Sequence, residues 1–172
     1  KGWDLVAEAS DSLFALNLQM IVLGNGEAKY HELLKKLEEK FPDKVKAYLT
    51  FDDTLAHQIE AASDMFLMPS RWEPCGLNQM YSLKYGTVPI VREVGGLADT
   101  VVQYDPETKT GDGFLFAEYT AEAMLDAVGQ AVTLFGRKRA WIQLMKSGMT
   151  TDFSWDASAR CLLDLLGRLQ AR

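Results

Sequence analysis

Three short apolar runs, Leu18–Leu23 (LQMIVL), Met65–Pro69 (MFLMP) and Val88–Val91 (VPIV), are set apart by longer stretches with helical spacing, and this alternation restricts the fold more than any other feature. A strand reads as unbroken apolar sequence when both its faces are buried, as in a parallel sheet covered by helices on both sides. Val45–Leu49 and Phe114–Phe116 supply two further strands. Around them the spacing predicts helices at Trp3–Leu16, with Leu5, Val6, Ala9, Leu13 and Phe14 on one face, at Ala28–Phe41, stopped by Pro42, and at Thr54–Ala62, with Asp52 or Asp53 as N-cap. More helices are expected at Gly76–Tyr85, closed by Gly86, at Leu97–Val102, and at Ala121–Phe135, Lys138–Ser147 and Trp155–Gln170. The leucine face of the last is assigned to core packing. The polar stretch Tyr104–Gly113 is a loop. A chain of 172 residues has the length of one domain. The expectation is therefore a single doubly wound, Rossmann-like α/β domain over residues 1–172, with ligands bound where the strands end.

Charge and cysteine usage narrow the partners. Eighteen Lys and Arg against 24 Asp and Glu leave a net charge of −6, which opposes a broad electrostatic hold on nucleic acid or on an anionic membrane. Neither is an expected partner, and any anionic ligand must be held locally. Cys75 and Cys161 lie too far apart in sequence for a metal-binding pair and make no disulfide framework, which suits a reducing, cytoplasmic compartment. His31 and His57 have no carboxylate or cysteine at a metal spacing, so no metal site is expected. No apolar run approaches the roughly 20 residues of a membrane-spanning helix.

The segment Pro69-Ser70-Arg71-Trp72-Glu73-Pro74-Cys75-Gly76-Leu77-Asn78 leaves a buried strand and opens a helix, on the ligand-facing edge. Pro74 and Gly76 allow a tight turn. The N–H groups of Gly76, Leu77 and Asn78 then form a cradle for an anion or for sugar hydroxyls, helped by the positive end of the helix. Glu73 stands beside that cradle, either as part of its chemistry or as a surface partner of Arg71; spacing does not decide between these. Gly24-Asn25-Gly26 lacks the third glycine of the dinucleotide fingerprint and is read first as a turn, as is Gly95-Gly96. Cys75 is read as a small turn residue, because no His lies near it in sequence.

Three stretches carry a resemblance. Glu73-Pro74-Cys75-Gly76-Leu77-Asn78-Gln79-Met80-Tyr81, Lys84-Tyr85-Gly86-Thr87-Val88-Pro89-Ile90-Val91 and Gly95-Gly96-Leu97-Ala98-Asp99-Thr100-Val101 strongly resemble bacterial glycogen synthases and plant starch synthases. Asp152-Phe153-Ser154-Trp155 and Gln19–Glu27 fit the same family. The resemblance implies the carboxyl-terminal half of a GT-B glycosyltransferase. Such an enzyme is a retaining glucosyltransferase that moves glucose from ADP-glucose or UDP-glucose to the non-reducing end of an α-1,4-glucan, with no cofactor beyond the nucleotide sugar. The setting would be the cytoplasm, or a plastid in a plant or alga. The rival reading is a free-standing nucleotide-binding or regulatory module without catalysis.

The same resemblance implies roles. Glu73 matches the active-site glutamate that contacts the donor glucose, and Lys1, at the end of an R-x-x-x-x-K-G motif, matches the pyrophosphate lysine. Cys75, Gly76, Leu77 and Asn78 fall on the donor cradle, with Gly24 also on the donor side, and Phe51 stands where an aromatic, often Tyr, faces the base. Tyr81 occupies the position, eight after Glu73, where many retaining glycosyltransferases carry a second glutamate; glycogen and starch synthases lack it too. The arginine of the R-x-x-x-x-K-G motif, the first strand of the domain, and the acceptor-binding amino-terminal domain with its K-x-G-G-L loop are expected upstream of Lys1. That strand would lie mid-sheet, between the second and the fourth, and the final helix would lack part of its packing partner. The chain alone is expected not to complete a catalytic centre.

Overall fold

A computed structural model describes residues 1–170, leaving out the Gln170 side chain. The elements run α1 (Trp3–Ala15), β1 (Met20–Leu23), α2 (Ala28–Lys40), β2 (Val45–Tyr48), α3 (Asp53–Ala62), β3 (Met65–Met68), α4 (Asn78–Tyr85), β4 (Val88–Arg92), α5 (Gly95–Thr100), β5 (Phe114–Phe116), α6 (Ala121–Phe135), α7 (Lys138–Thr150) and α8 (Trp155–Gln170). Every strand pairing is parallel. β1 pairs with β2, Met20 opposite Val45, while β3, β4 and β5 pair in that order, with Met65 opposite Val88 and Ile90 opposite Phe114. Among the described residues these make two sheets, and β1 and β3 do not pair.

β4 shows why its sequence is unbroken. Val88 and Ile90 pack in the main core with Leu5, Val6 and Leu13 of α1 and Met124, Val128 and Ala131 of α6. Val91 packs in a second cluster with Leu97 and Val101. With both faces covered, no position of Val88–Val91 can be polar without burying an unpaired group. Local chemistry sets the helix ends. The Asp52 carboxylate accepts a hydrogen bond from the Leu55 N–H at 2.9 Å, Thr120 accepts from Ala123 at 3.2 Å, and Gly86 closes α4 in the left-handed region, φ 84°.

Two expectations are corrected. α4 begins at Asn78, because Gly76 has φ +73°, a left-handed conformation that cannot belong to a right-handed turn. The leucine face of α8 does not pack in the core: Leu162, Leu163, Leu165, Leu166 and Leu169 are exposed, and Trp155 is 90% exposed. An amphipathic pattern states which face a helix buries when a partner is available, not that the partner lies in the same chain.

Candidate functional site

The loop after β3 is held from three sides. Gly2 (φ +84°) rests on the end of β3 so closely that a Cβ there would lie 2.1 Å from the Pro69 carbonyl oxygen, so only glycine lets the chain lie there. Lys1 is thereby brought to Glu73, its Nζ 2.5 Å from Oε2. Ser70 Oγ donates to the same oxygen at 3.0 Å. Glu73 is 8% exposed, whereas the Lys1 side chain is two-thirds exposed, at 66%. Arg71 pairs with Asp4 at 3.2 Å instead. The surface-partner reading of Glu73 therefore fails on geometry.

Burial pushes the Glu73 carboxyl up, but donation from Lys1 and Ser70 and the Lys1 charge outweigh it, and the group sits below the usual glutamate range. It is a carboxylate at neutral pH. A folded-state value below the unfolded one stabilises the fold above the unfolded value, and that contribution is lost as pH falls through the folded value.

The second side is α5. The Gly96 N–H donates to the Glu73 carbonyl at 3.1 Å. A Cβ on Gly96 would lie 1.9 Å from the Cys75 carbonyl oxygen, and one on Gly95 (φ +47°) 2.3 Å from that of Glu73. The glycine pair, read as turn chemistry, also lets α5 press against the backbone of the Glu73 loop. The third side is Gln79, which is fully buried. Its Nε2 donates to the carbonyls of Cys75 at 3.3 Å and Gly76 at 3.1 Å and to Thr100 Oγ1 at 3.0 Å. Gln79→Ala removes all three bonds to a part-buried loop together with a buried Oε1 that has no partner, so we expect a stability loss of about 1–2 kcal/mol. Thermal unfolding checks this, and an unchanged melting temperature would remove Gln79 from the loop's support. Sequence reasoning passed over both Gln79 and Ser70. The available signal was a polar side chain in the first turn of a helix packed on a tight loop.

Around this frame the other candidates fall as follows. Cys75 is exposed and free, and Leu77, half exposed, is the N-cap of α4. Asn78 turns its side chain toward α3, where its amide donates to Glu60 Oε1 at 2.8 Å, so its backbone N–H remains what it can offer a ligand. Glu60 is itself buried, its Oε2 has no hydrogen-bond partner, and burial raises its carboxyl despite the Asn78 bond and nearby His57. Gly24 and Phe51 follow β1 and β2. The Gly24 N–H donates to the Tyr48 carbonyl at 3.1 Å. A Cβ on Gly24 would meet nothing within 4 Å, and the Phe51 ring is 87% exposed. Among the described residues no hydrogen bond joins this pair to the Glu73 cluster, no helix is long and apolar enough to cross a membrane, and no three acidic, His or Cys side chains gather as a metal site would require.

Comparison with known proteins follows the same residues. The family described as glycosyl transferases group 1 matches residues 1–144. The glycogen synthase of Kosmotoga olearia is 52% identical over 160 residues, which are 93% of this chain and 34% of that protein. That of Fervidobacterium nodosum is 49% identical over 172 residues, all of this chain and 36% of that protein. The catalytic domain of starch synthase IV from Arabidopsis thaliana, solved bound to ADP and acarbose, matches with a TM-score of 0.85 and 33% identity over all of this chain and 36% of that one. The chain thus spans about a third of the length of the curated relatives it matches, and its parallel sheets flanked by helices match the GT-B fold. A family match running from Lys1 to Leu144 takes in every residue that holds the Glu73 loop, and the chain belongs to the group 1 glycosyl transferases.

Proposed function

We propose that this chain is the donor-binding part of a retaining glucosyltransferase that transfers glucose from ADP-glucose, with UDP-glucose as the alternative donor, to the non-reducing end of an α-1,4-glucan. The observation that carries the reading is the buried Glu73 carboxylate with Lys1 Nζ 2.5 Å away, beside the backbone N–H groups that open α4. Support for the adenine nucleotide comes from the starch synthase IV catalytic domain, which was solved with ADP. The reaction separates a diphosphate from a sugar that becomes cationic at its anomeric carbon, so it needs fixed positive groups at one end and a fixed negative group at the other. Lys1, still largely exposed, and the start of α4 serve the diphosphate. Glu73, held anionic, serves the sugar. Phe51 offers a ring face to the base.

In this reading most of the acceptor contacts, the remaining diphosphate contacts and the closure that dries the cleft are assigned to further parts of a longer polypeptide. In this proposal the two sheets are parts of one, joined by a strand from upstream of Lys1. A nucleotide-sugar enzyme of this kind works in the cytoplasm, or in a plastid in a plant or alga. The nucleotide site is tested by titrating ADP and UDP against the chain and its Phe51→Ala variant. Loss of one aromatic stack is expected to weaken binding by roughly 1–2 kcal/mol, about tenfold. Unchanged affinity in calorimetry would move the base elsewhere.

A further inference from the structure

One residue before Glu73, on the same strand-end edge, a cavity of about 300 Å³ is lined by Arg71, Trp72, Arg92, Val94 and Tyr119. None of these side chains has a part in the donor site described above. The wall is rigid. The guanidinium carbons of Arg71 and Arg92 lie 4.4 and 5.2 Å from the centre of the Tyr119 ring. Tyr119 donates to Asp4 at 2.6 Å and Arg71 to the other oxygen of the same carboxylate at 3.2 Å. Arg92 is fixed through Nη1 to the Arg71 carbonyl at 2.8 Å and through Nε to that of Ala117 at 3.3 Å. Its Nη2 makes no hydrogen bond among the described residues.

Beside this wall Trp72 is 78% exposed. The indole face is therefore open on this chain to a ligand beside a cationic rim. The chemistry selects the ligand. Asp4 pairs with Arg71, so Arg92, held by two backbone carbonyls, is the lining cation without a carboxylate partner among the described residues; beside it stands the flat apolar face of Trp72, with Arg92 Nη2 as the free N–H donor. A sugar ring has the complementary form, an apolar face bounded by hydroxyls that accept hydrogen bonds. We propose that this cavity is a subsite for a glucose unit of the α-glucan acceptor, stacked on Trp72 with a hydroxyl accepting from Arg92 Nη2. The inference rests on the glucosyltransferase reading. It places part of the acceptor site on this chain, next to the residue assigned to the donor sugar.

The test uses the full-length polypeptide that carries this chain, with ADP-glucose and maltoheptaose. Trp72→Ala is expected to raise KM for maltoheptaose about tenfold while KM for ADP-glucose stays within about twofold, and Trp72→Phe is expected to restore most of the loss. Because Trp72 is exposed, the melting temperature of both variants should match the parent's, which separates a binding defect from unfolding. An acceptor KM that does not move in Trp72→Ala overturns the proposal, as does a parallel rise in the ADP-glucose KM, which would assign the cavity to the donor. Failure of the unsubstituted polypeptide to transfer glucose at all would overturn the underlying reading instead.

Discussion

Glu73→Gln, made in a full-length polypeptide that carries this chain, is expected to lower kcat for glucose transfer at least about a hundredfold while leaving ADP affinity nearly unchanged. The amide keeps the size and shape of the carboxylate and can still accept from Ser70, which donates to Glu73 at 3.0 Å. What it loses is the negative charge that burial, Lys1 and Ser70 together hold in place. That charge matters little to a neutral sugar in the ground state and much to the same sugar as positive charge develops at its anomeric carbon. Interactions stronger in the transition state than in the ground state appear in kcat. A hundredfold is about 2.7 kcal/mol of barrier, the usual size for one well-placed electrostatic group. Lys1, freed from its partner at 2.5 Å, would if anything hold a diphosphate better. A twofold loss of turnover, or a loss that appears equally in ADP affinity, would make Glu73 a structural carboxylate.

The fold was legible in the sequence where two-sided burial forces a pattern. Val88–Val91 had to be unbroken apolar because α1, α6 and α5 cover it from both faces, and helix ends were legible where a side chain such as Asp52 makes the cap itself. The candidate site was legible as a loop that leaves such a strand. What could not be read is whatever depends on distance between segments remote in sequence. Gly95 and Gly96 looked like turn residues, and only the packed structure shows the carbonyls of Glu73 and Cys75 lying against them. Gln79 and Glu60 are polar side chains that spacing alone would put on a helix surface, yet both are buried. Asn78 enters the cradle by its backbone N–H, and only the packed structure shows its side-chain amide drawn to a carboxylate on α3.

The second large effect concerns the break between the two sheets. β3 is four apolar residues in a row, yet each of Met65, Phe66, Leu67 and Met68 is only partly buried, while its neighbour β4 is buried from Val88 to Val91. Ile21, in the middle of β1, is 52% exposed. Each of these strands is paired on one side only, β1 with β2 and β3 with β4. A strand that is apolar on both faces but half covered is unstable in water, and its unpaired edge invites another chain. If a strand from upstream of Lys1 lies between them in the longer polypeptide, it satisfies two rows of backbone groups and buries the apolar side chains at once. Each backbone group so satisfied is worth about 1 kcal/mol, with the apolar burial added to it. We therefore expect hydrogen exchange of the β1 and β3 amides to be slower by at least about a hundredfold in the longer polypeptide than in the isolated chain, while the amides of β5 differ far less. Comparison of the two by mass spectrometry at peptide resolution checks this. Equal protection of β1 and β3 in both would mean that the two sheets are stable as separate units and that no strand is needed between them.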